Sequence, residues 1–554
     1  MRQKDMVRKQ TRILWLLAPV VVLTVWCGSV AASEVAESVL YRARVAAEED
    51  RHREAIDLYL RAIDLEPNLR STVAIELGHQ YTWAEMPDSA VAWYGRHLEH
   101  HPGDLDARLG IARAMSWADD LDDAEAYYRR LLPQSGDRWN DVLVGLAKTK
   151  AWQEDRGAAE EIYRYVLDRD PENTDARLGL AETMNWSGRH REAREMYEGV
   201  LEDEPDNTEA KKGLAEALLW MGRADRAKEV IDGAEPDEDI EKTSAAVRST
   251  MNPRGSATYS YRKNTDDGEY QSVYLSGTVP ARYLTRVTAA YLRGKLTKKG
   301  LSSIDRDQFR VSLEHRFTDT WALTATPGAE LNRFDAVVIP PNTGARDDFN
   351  LLVWDIYLTV TPRDWVRCDV GSSRETMQIP EPVFRRIHVT TENIGLDWRI
   401  AHRAITFWEL MYSSYSDGNS RLAASQRGEW RTPIRMPYQR FNELVVLEGV
   451  EYFDFKKELD NGYFNPSNYL HLFGGLRFAA DIGGRTRLSV EGRFGAERDS
   501  GTGWASVGSF SGSLRVRLVG GVALLAGYYE SGSRLTSPEG FRAEGFYVTL
   551  DLAR

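Results

Sequence analysis

Between Leu470 and Phe494 the charged residues keep one parity. His471, Arg477 and Asp481, then Arg485, Arg487, Glu491 and Arg493 beyond Gly483-Gly484, alternate with Leu470, Leu472, Leu476, Phe478, Ile482, Leu488, Val490 and Phe494. The same alternation sets Arg515 and Arg517 against Leu514, Val516 and Leu518. It sets Asp355, Tyr357 and Thr359 against Leu352, Trp354, Ile356, Leu358 and Val360, and Arg310, Glu314 and Arg316 against Phe309, Val311, Leu313 and Phe317. Polar groups held on one face can do one of two things. They can line a wet passage and exchange weak hydrogen bonds with a passing solute, or they can brace one another as arginine–carboxylate pairs. Covalent chemistry is not indicated. The sequence has no H-E-x-x-H, no G-x-S-x-G and no phosphate loop, and GSFSG at Gly508–Gly512 carries Phe510 where a nucleophile would stand. His315, His388, His402 and His471 are scattered over different segments, so neither an enzyme nor a cofactor or metal site is expected. Asp266, Asp267 and Glu269, and Asp347 with Asp348, could hold Ca²⁺, but solvated loops are the favoured reading.

Period-two alternation requires strands with one apolar and one polar face. A sealed core would have to pair every charge, whereas hydrocarbon accepts the apolar set and an aqueous lumen solvates the other. From Ser256 sixteen such strands can be placed. Their connections alternate in length. Short ones fall at Thr318-Asp319-Thr320, Pro362-Arg363-Asp364, Ala401-His402, Gly483-Gly484 and Gly520-Gly521, and long polar ones at NTDDGE, KKGLSSIDR, DAVVIPPNTGARDD, ELDNGYFNPSN, RDSGTG and LTSPEG. TPIRMPYQRF is an exception, a longer connection on the short side. Short turns on one rim and long loops on the other are the mark of an outer-membrane barrel, whose short turns face the periplasm. Sixteen strands are enough for an aqueous channel.

The preceding half repeats itself. Ala55, Ala90, Ala124, Ala159 and Ala193 are each followed four residues later by a tyrosine, with a degenerate copy at Ala227, so the period is 34 or 35. Pro67, Pro102, Pro171 and Pro205 fall 12 residues after their alanines. This is the tetratricopeptide period of two antiparallel helices per unit. Trp83, Trp117, Trp152, Trp186 and Trp220 share another register. They are expected to fill the gaps between helix pairs, or alternatively to form a ladder of aromatic platforms. The segment after Glu235-Pro236 loses the register and reads as a linker.

At the N-terminus Arg2, Lys4, Arg8, Lys9 and Arg12 precede ILWLLAPVVVLTVW and the small residues CGSVAAS, the order of a secretory signal peptide. An uncleaved anchor and a lipoprotein at Cys27 are the alternatives. The expected organisation is α + β multidomain: signal peptide 1–33, α-solenoid of about six repeats 34–236, linker 237–254, transmembrane β-barrel 255–554. With only Cys27 and Cys368, no internal disulfide is expected in the exported chain. The net charge of -13 is concentrated in residues 34–254, with 29 Lys+Arg against 48 Asp+Glu, while residues 255–554 carry 37 against 35. Neither half has the basic bias of nucleic-acid binding.

Trp-bearing repeats followed by a barrel resemble the exporters of bacterial exopolysaccharide, such as the outer-membrane protein of cellulose synthase operons and the poly-N-acetylglucosamine porins. Gly462, Tyr463, Phe464, Asn465, Pro466, Ser467, Asn468 and Tyr469 are similar to a Gly-Tyr-aromatic-x-Pro-x-x-Tyr element of the cellulose exporters. The array is shorter than is usual there. The resemblance implies a porin-like conduit for a glycan in biofilm formation. It would sit in the outer membrane of a Gram-negative bacterium, its repeats in the periplasm recruiting glycan synthesis or modification proteins. Tyr357, Tyr469, His471, Arg477, Asp481, Arg485, Arg487, Glu491, Arg493, Arg515 and Arg517 are then the lumen candidates by parity. Their alternating signs suit a neutral polymer better than a strongly charged one, and a purely structural ion-pair network is the equal alternative. A second function also stays open, a closed barrel that anchors a repeat scaffold for protein partners.

Overall fold

The computed structural model describes residues 35–235, 238–265, 267–300, 303–334, 348–377, 382–383, 385–401, 403–436, 439–460, 463–501, 503–518, 521–533 and 541–553. The expected leader, Asp266, Asp347, His402 and Gly462 lie outside these residues. Helices α1 (35–48), α2 (His52–Leu65), α3 (Leu69–Thr72), α4 (Ala74–Trp83), α5 (Pro87–His100), α6 (Leu105–Trp117), α7 (Leu121–Leu131), α8 (Trp139–Trp152), α9 (Arg156–Leu167) and α10 (Thr174–Trp186) come first. Then follow α11 (His190–Asp203), α12 (Thr208–Trp220), α13 (Ala224–Asp232) and α14 (Glu238–Ser249). The chain divides into two compact units within α10, at Thr183/Met184.

In both units the repeat register is a packing register. Ala55, Ala90, Ala124, Ala159, Ala193 and Ala227 are all fully buried, and Tyr59, Tyr94, Tyr128, Tyr163 and Tyr197 nearly so. The tyrosine rings fill the space between helices by lying over glycine. A Cβ on Gly145 would meet Tyr128 at 2.5 Å, one on Gly179 would meet Tyr163 at 2.4 Å, and one on Gly213 would meet Tyr197 at 2.3 Å. The tryptophans therefore have no gap left to fill. Trp83, Trp117, Trp186 and Trp220 are exposed, the last by 73%. Each follows its helix to a tight turn in which the second residue after the tryptophan has positive φ: Glu85, Asp119, Glu154, Gly188 and Gly222. Side-chain caps at Asp104 (to the Asp106 amide, 2.9 Å) and Asn207 (to the Ala210 amide, 2.8 Å) start α6 and α12. Residues 237–254, read from the sequence as a linker, instead contain α14. Its Ile240 and Val247 are buried, and it packs on α12 and α13.

The rest of the second unit is a closed antiparallel barrel in sequential order. Its strands are β1 (Arg254–Asn264), β2 (Gly268–Arg282), β3 (Thr285–Lys298), β4 (Ile304–Arg316), β5 (Trp321–Phe334), β6 (Phe349–Arg363), β7 (Val366–Thr376) and β8 (His388–Ala401). They continue as β9 (Ala404–Tyr415), β10 (Ser420–Met436), β11 (Gln439–Phe455), β12 (Tyr469–Ile482), β13 (Thr486–Arg498), β14 (Ala505–Arg517), β15 (Val522–Ser533) and β16 (Phe541–Ala553). Pairing of β1 with β16, Arg254 opposite Ala553, closes the ring and leaves no free edge. The expected exception at TPIRMPYQRF disappears, because β10 and β11 extend into it from both sides and pair as far as Met436 opposite Gln439. Across the wall, register keeps one parity outward. Leu352 (63%), Leu476 (54%) and Phe494 (71%) belong to an exposed apolar band, the surface that a transmembrane barrel offers to lipid.

Candidate functional site

Opposite register partners carry the second parity into the lumen. Arg477 faces Glu491 on β13 and donates to it through Nε (2.7 Å), while its Nη2 donates to Glu429 on β10 (3.0 Å). Arg493 donates to the other oxygen of Glu491 (2.7 Å). Arg427 and Arg431 approach Glu429 to 3.8 Å, so one nearly inaccessible carboxylate is ringed by three guanidinium groups. Arg487 pairs with Asp481 (3.3 Å), Arg515 with Asp551 (2.5 Å), and the His471 ring with Glu451 (3.2 Å). The Tyr469 hydroxyl donates to Glu497 (2.8 Å) beneath a stacked Phe453. Ten of the eleven sequence candidates thus share the inward face, with Tyr357 lying over Gly371 and Arg517, the last residue of β14, opposite Ala523 on the parity of Arg515. One does not. Arg485 sits in the short β12–β13 turn.

The structure adds an inward pair that the sequence reading did not single out. Arg306 and Glu330 form a buried pair (3.3 Å), supported by Asn332 and by Thr376, while Arg310 and Asp355, both set on the polar face by parity, pair with each other. A second pattern sets aromatic rings over a glycine of the adjacent strand: Tyr357 on Gly371, Phe473 on Gly449, Tyr547 on Gly527 and Tyr529 on Gly545. A strand glycine directly opposite an aromatic was the signal in the sequence.

At the long-loop rim, the element that resembles the cellulose exporters is a packed hairpin. Tyr463 stacks on Tyr415 (5.2 Å, 8°), its hydroxyl donates to Asp417 (2.9 Å) and accepts from Asn419 (3.2 Å), and burial pushes its phenol up to about 12. Asn465 clamps the loop on both backbone groups of Leu459 (3.3 and 2.8 Å). Pro466 accepts from the Phe455 amide, and Phe464 is exposed. Beside it, Val383 packs on Tyr270, Leu296 and Ile304, and Ile387 on Tyr415, Phe455 and Tyr463.

The opposite, short-turn rim holds the last repeats. The Arg191 amide donates to Asp364 (2.7 Å), and its Nη2 donates to the carbonyls of Asp319 (2.9 Å) and Thr361 (2.6 Å). Arg223 (2.5 Å) and Arg194 (3.1 Å) each donate to one oxygen of Asp319. Hydrogen bonding to Asp225, then to Asp319, raises the Arg223 pKa, and Arg223 in turn lowers that of Asp225. Barrel arginines reach the other way. A Cβ on Gly188 would stand 1.8 Å from Arg399, and one on Gly222 2.9 Å from Arg316. In the turns of the earlier repeats Glu85, Asp119 and Glu154 occupy the equivalent position.

A family model described as tetratricopeptide repeat matches residues 84–143, 153–197 and 187–239. The helices of this segment are tetratricopeptide repeats. No curated protein matches the sequence. Among solved structures the chain is similar to a bacterial polysaccharide outer-membrane secretin (14% identity, 54% of this chain and 98% of the other, TM-score 0.43). It is also similar to CdiB from Acinetobacter baumannii (11%, 54% and 60%, 0.37) and to a tetratricopeptide-repeat protein of Thermus thermophilus (21%, 32% and 98%, 0.29). Likenesses this distant decide nothing about function. Among the described residues no three metal-ligating side chains converge, and no helix is long and apolar enough to cross a membrane.

Proposed function

We propose that this tetratricopeptide-repeat barrel protein is an outer-membrane conduit that exports an exopolysaccharide. Its repeats stand at the periplasmic mouth, where they receive synthesis or modification proteins. The observation that carries this reading is the joining of three features on one unit: an apolar outer band, a polar lumen, and repeats fixed to the rim of short turns through Asp319 and Asp364. Short turns face the periplasm in such barrels, so the repeats stand where cargo would enter. Hydrogen-bonding groups and rings along the wall bind a sugar chain weakly at many points. Weak, repeated contact is what lets a polymer enter and still move on.

A second reading is favoured by Val383 and Ile387, whose side chains pack on the strand ends of the long-loop rim. A barrel shut there would be an anchor for a repeat scaffold. The test is single-channel recording of the full chain in planar bilayers, with neutral and acidic oligosaccharides added to either side. Steady conductance interrupted by an oligosaccharide is the expected result. A folded barrel that never conducts would refute the conduit and leave the anchored scaffold.

A further inference from the structure

Charge is not spread evenly around the lumen. From β4 to β13 the wall carries the ion pairs described above, and those guanidinium and carboxylate groups already hold one another. From β14 through β16 to β1, β2 and β3 the inward positions are of another kind. Register places Ser511, Ser513, Tyr529, Tyr547, Thr549, Thr258, Tyr274 and Thr288 on this side, with arginine or aspartate only toward the strand ends. Hydroxyls pair across strands, Ser256 with Ser276 (2.7 Å), Ser260 with Ser272 (2.7 Å) and Thr258 with Thr549 (2.9 Å). Each such pair still has one donor and spare lone pairs to offer.

Two rings lie back along this wall. The Cζ and Oη of Tyr547 stand 2.4 and 2.5 Å from where a Cβ of Gly527 would be, and the Tyr529 hydroxyl 2.7 Å from that of Gly545. The two pairs are reciprocal, each strand supplying one tyrosine and one glycine, two residues apart. Glycine at both positions is what allows a ring to cover its neighbour instead of projecting across the passage.

Resting on the conduit reading, we infer that the cargo track is this hydroxyl-rich β14–β3 wall, with Tyr529 and Tyr547 as stacking residues, and that the cargo is a neutral glycan. The C–H faces of a neutral sugar ring match an aromatic face, and its hydroxyls match a serine–threonine ladder that can donate or accept at each step. A glycan bearing carboxylates or amines gains few counter-ions on this wall, where Arg262, opposite Gly545, lies over the Tyr270 ring (5.6 Å) and Arg515 is paired with Asp551, and the charges opposite are occupied by each other. The ion pairs then serve to keep that side of the lumen rigid.

The test uses the full chain in planar bilayers with cellohexaose as the neutral probe and an oligogalacturonate of equal length as the acidic one. Cellohexaose should interrupt the wild-type current, with oligogalacturonate much less effective. Y529A/Y547A should shorten the cellohexaose block roughly tenfold, as loss of a stacking surface does. Y529F/Y547F, which keeps the rings, should retain the block. Unaltered open-channel conductance in both variants shows that they fold. Equal block by the acidic probe, or a block unchanged in Y529A/Y547A, overturns the neutral track while leaving a conduit. No block by either probe in a conducting wild type removes the glycan conduit itself, and the track with it.

Discussion

Replacing Asp319 with alanine should loosen the last repeats from the barrel. Its carboxylate accepts from Arg223 (2.5 Å) and Arg194 (3.1 Å), and all three side chains are only about one-fifth exposed. A hydrogen bond to a charged group contributes about 1.5–3 kcal/mol. Two are lost, but Arg223 keeps Asp225 at 2.8 Å and Arg194 keeps Glu198 at 3.6 Å. The Arg191 bonds to backbone carbonyls also survive. A net loss of roughly 2–3 kcal/mol follows, which is about 30- to 150-fold in the constant for undocking. Amide hydrogen exchange of the full chain in micelles measures it. The Arg191 amide, bound to Asp364, reports the interface directly, and α13 reports the second contact. Exchange there should accelerate by that factor while the strand amides of β4 and β5 stay protected. If the Arg191 amide exchanges as in wild type, the contact at Asp319 does not hold the repeats.

Two further outcomes are expected. Glu429→Gln leaves Arg427, Arg431 and Arg477 without their shared charge, and breaking a buried pair of this kind costs about 3–5 kcal/mol. The folded, heat-modifiable band on a gel should disappear at a lower temperature. Asp481→Asn, which opens a pair with Arg487 half in solvent, should change it by less than about 1 kcal/mol and serves as the comparison. In the repeats, burial lowers the pKa of His79 and of His190, whose ring stacks on Trp220 (5.8 Å, 6°). The folded state therefore binds fewer protons than the unfolded one, so stability present above about pH 6.5 is lost as pH falls through the lowered values. Helical melting should occur at lower temperature at pH 5.5 than at pH 7.5, and a rise would refute the assignment.

Much of this was legible in the chain because two periods dominate it. Every alanine of the repeat register is buried, since a helix pair of fixed length returns the same residue to the same contact. Strand count, rim asymmetry and the inward parity of Arg477, Glu491 and Arg493 followed from a period of two and from turn length. What could not be read was partnership between distant segments. Glu429 and Arg477 lie on strands two places apart, and Asp319 meets arginines about a hundred residues earlier. The tryptophans were expected in the gaps because a large ring commonly fills one. The tyrosines, of which Tyr94, Tyr128, Tyr163 and Tyr197 each face a glycine on the next helix, had taken that space. Helix α14 was missed because it carries no copy of the repeat pattern, only Ile240 and Val247 at helical spacing.

The left-handed turn that ends each first helix differs along the array. In the first unit a carboxylate residue holds it, at Glu85, Asp119 and Glu154, and in the second, where the guanidinium groups of Arg399 and Arg316 lie against it, glycine holds it, at Gly188 and Gly222. The repeats are consequently not interchangeable parts. Units could be added or removed ahead of Gly188 while leaving the contacts at the barrel mouth untouched, so the length of the array can be altered separately from the pore. The two units around Gly188 and Gly222 are the fixed mount, and a chain in which an earlier repeat was transplanted into their place would bring a carboxylate side chain into the space where Arg399 and Arg316 now lie, so those arginines would have to move.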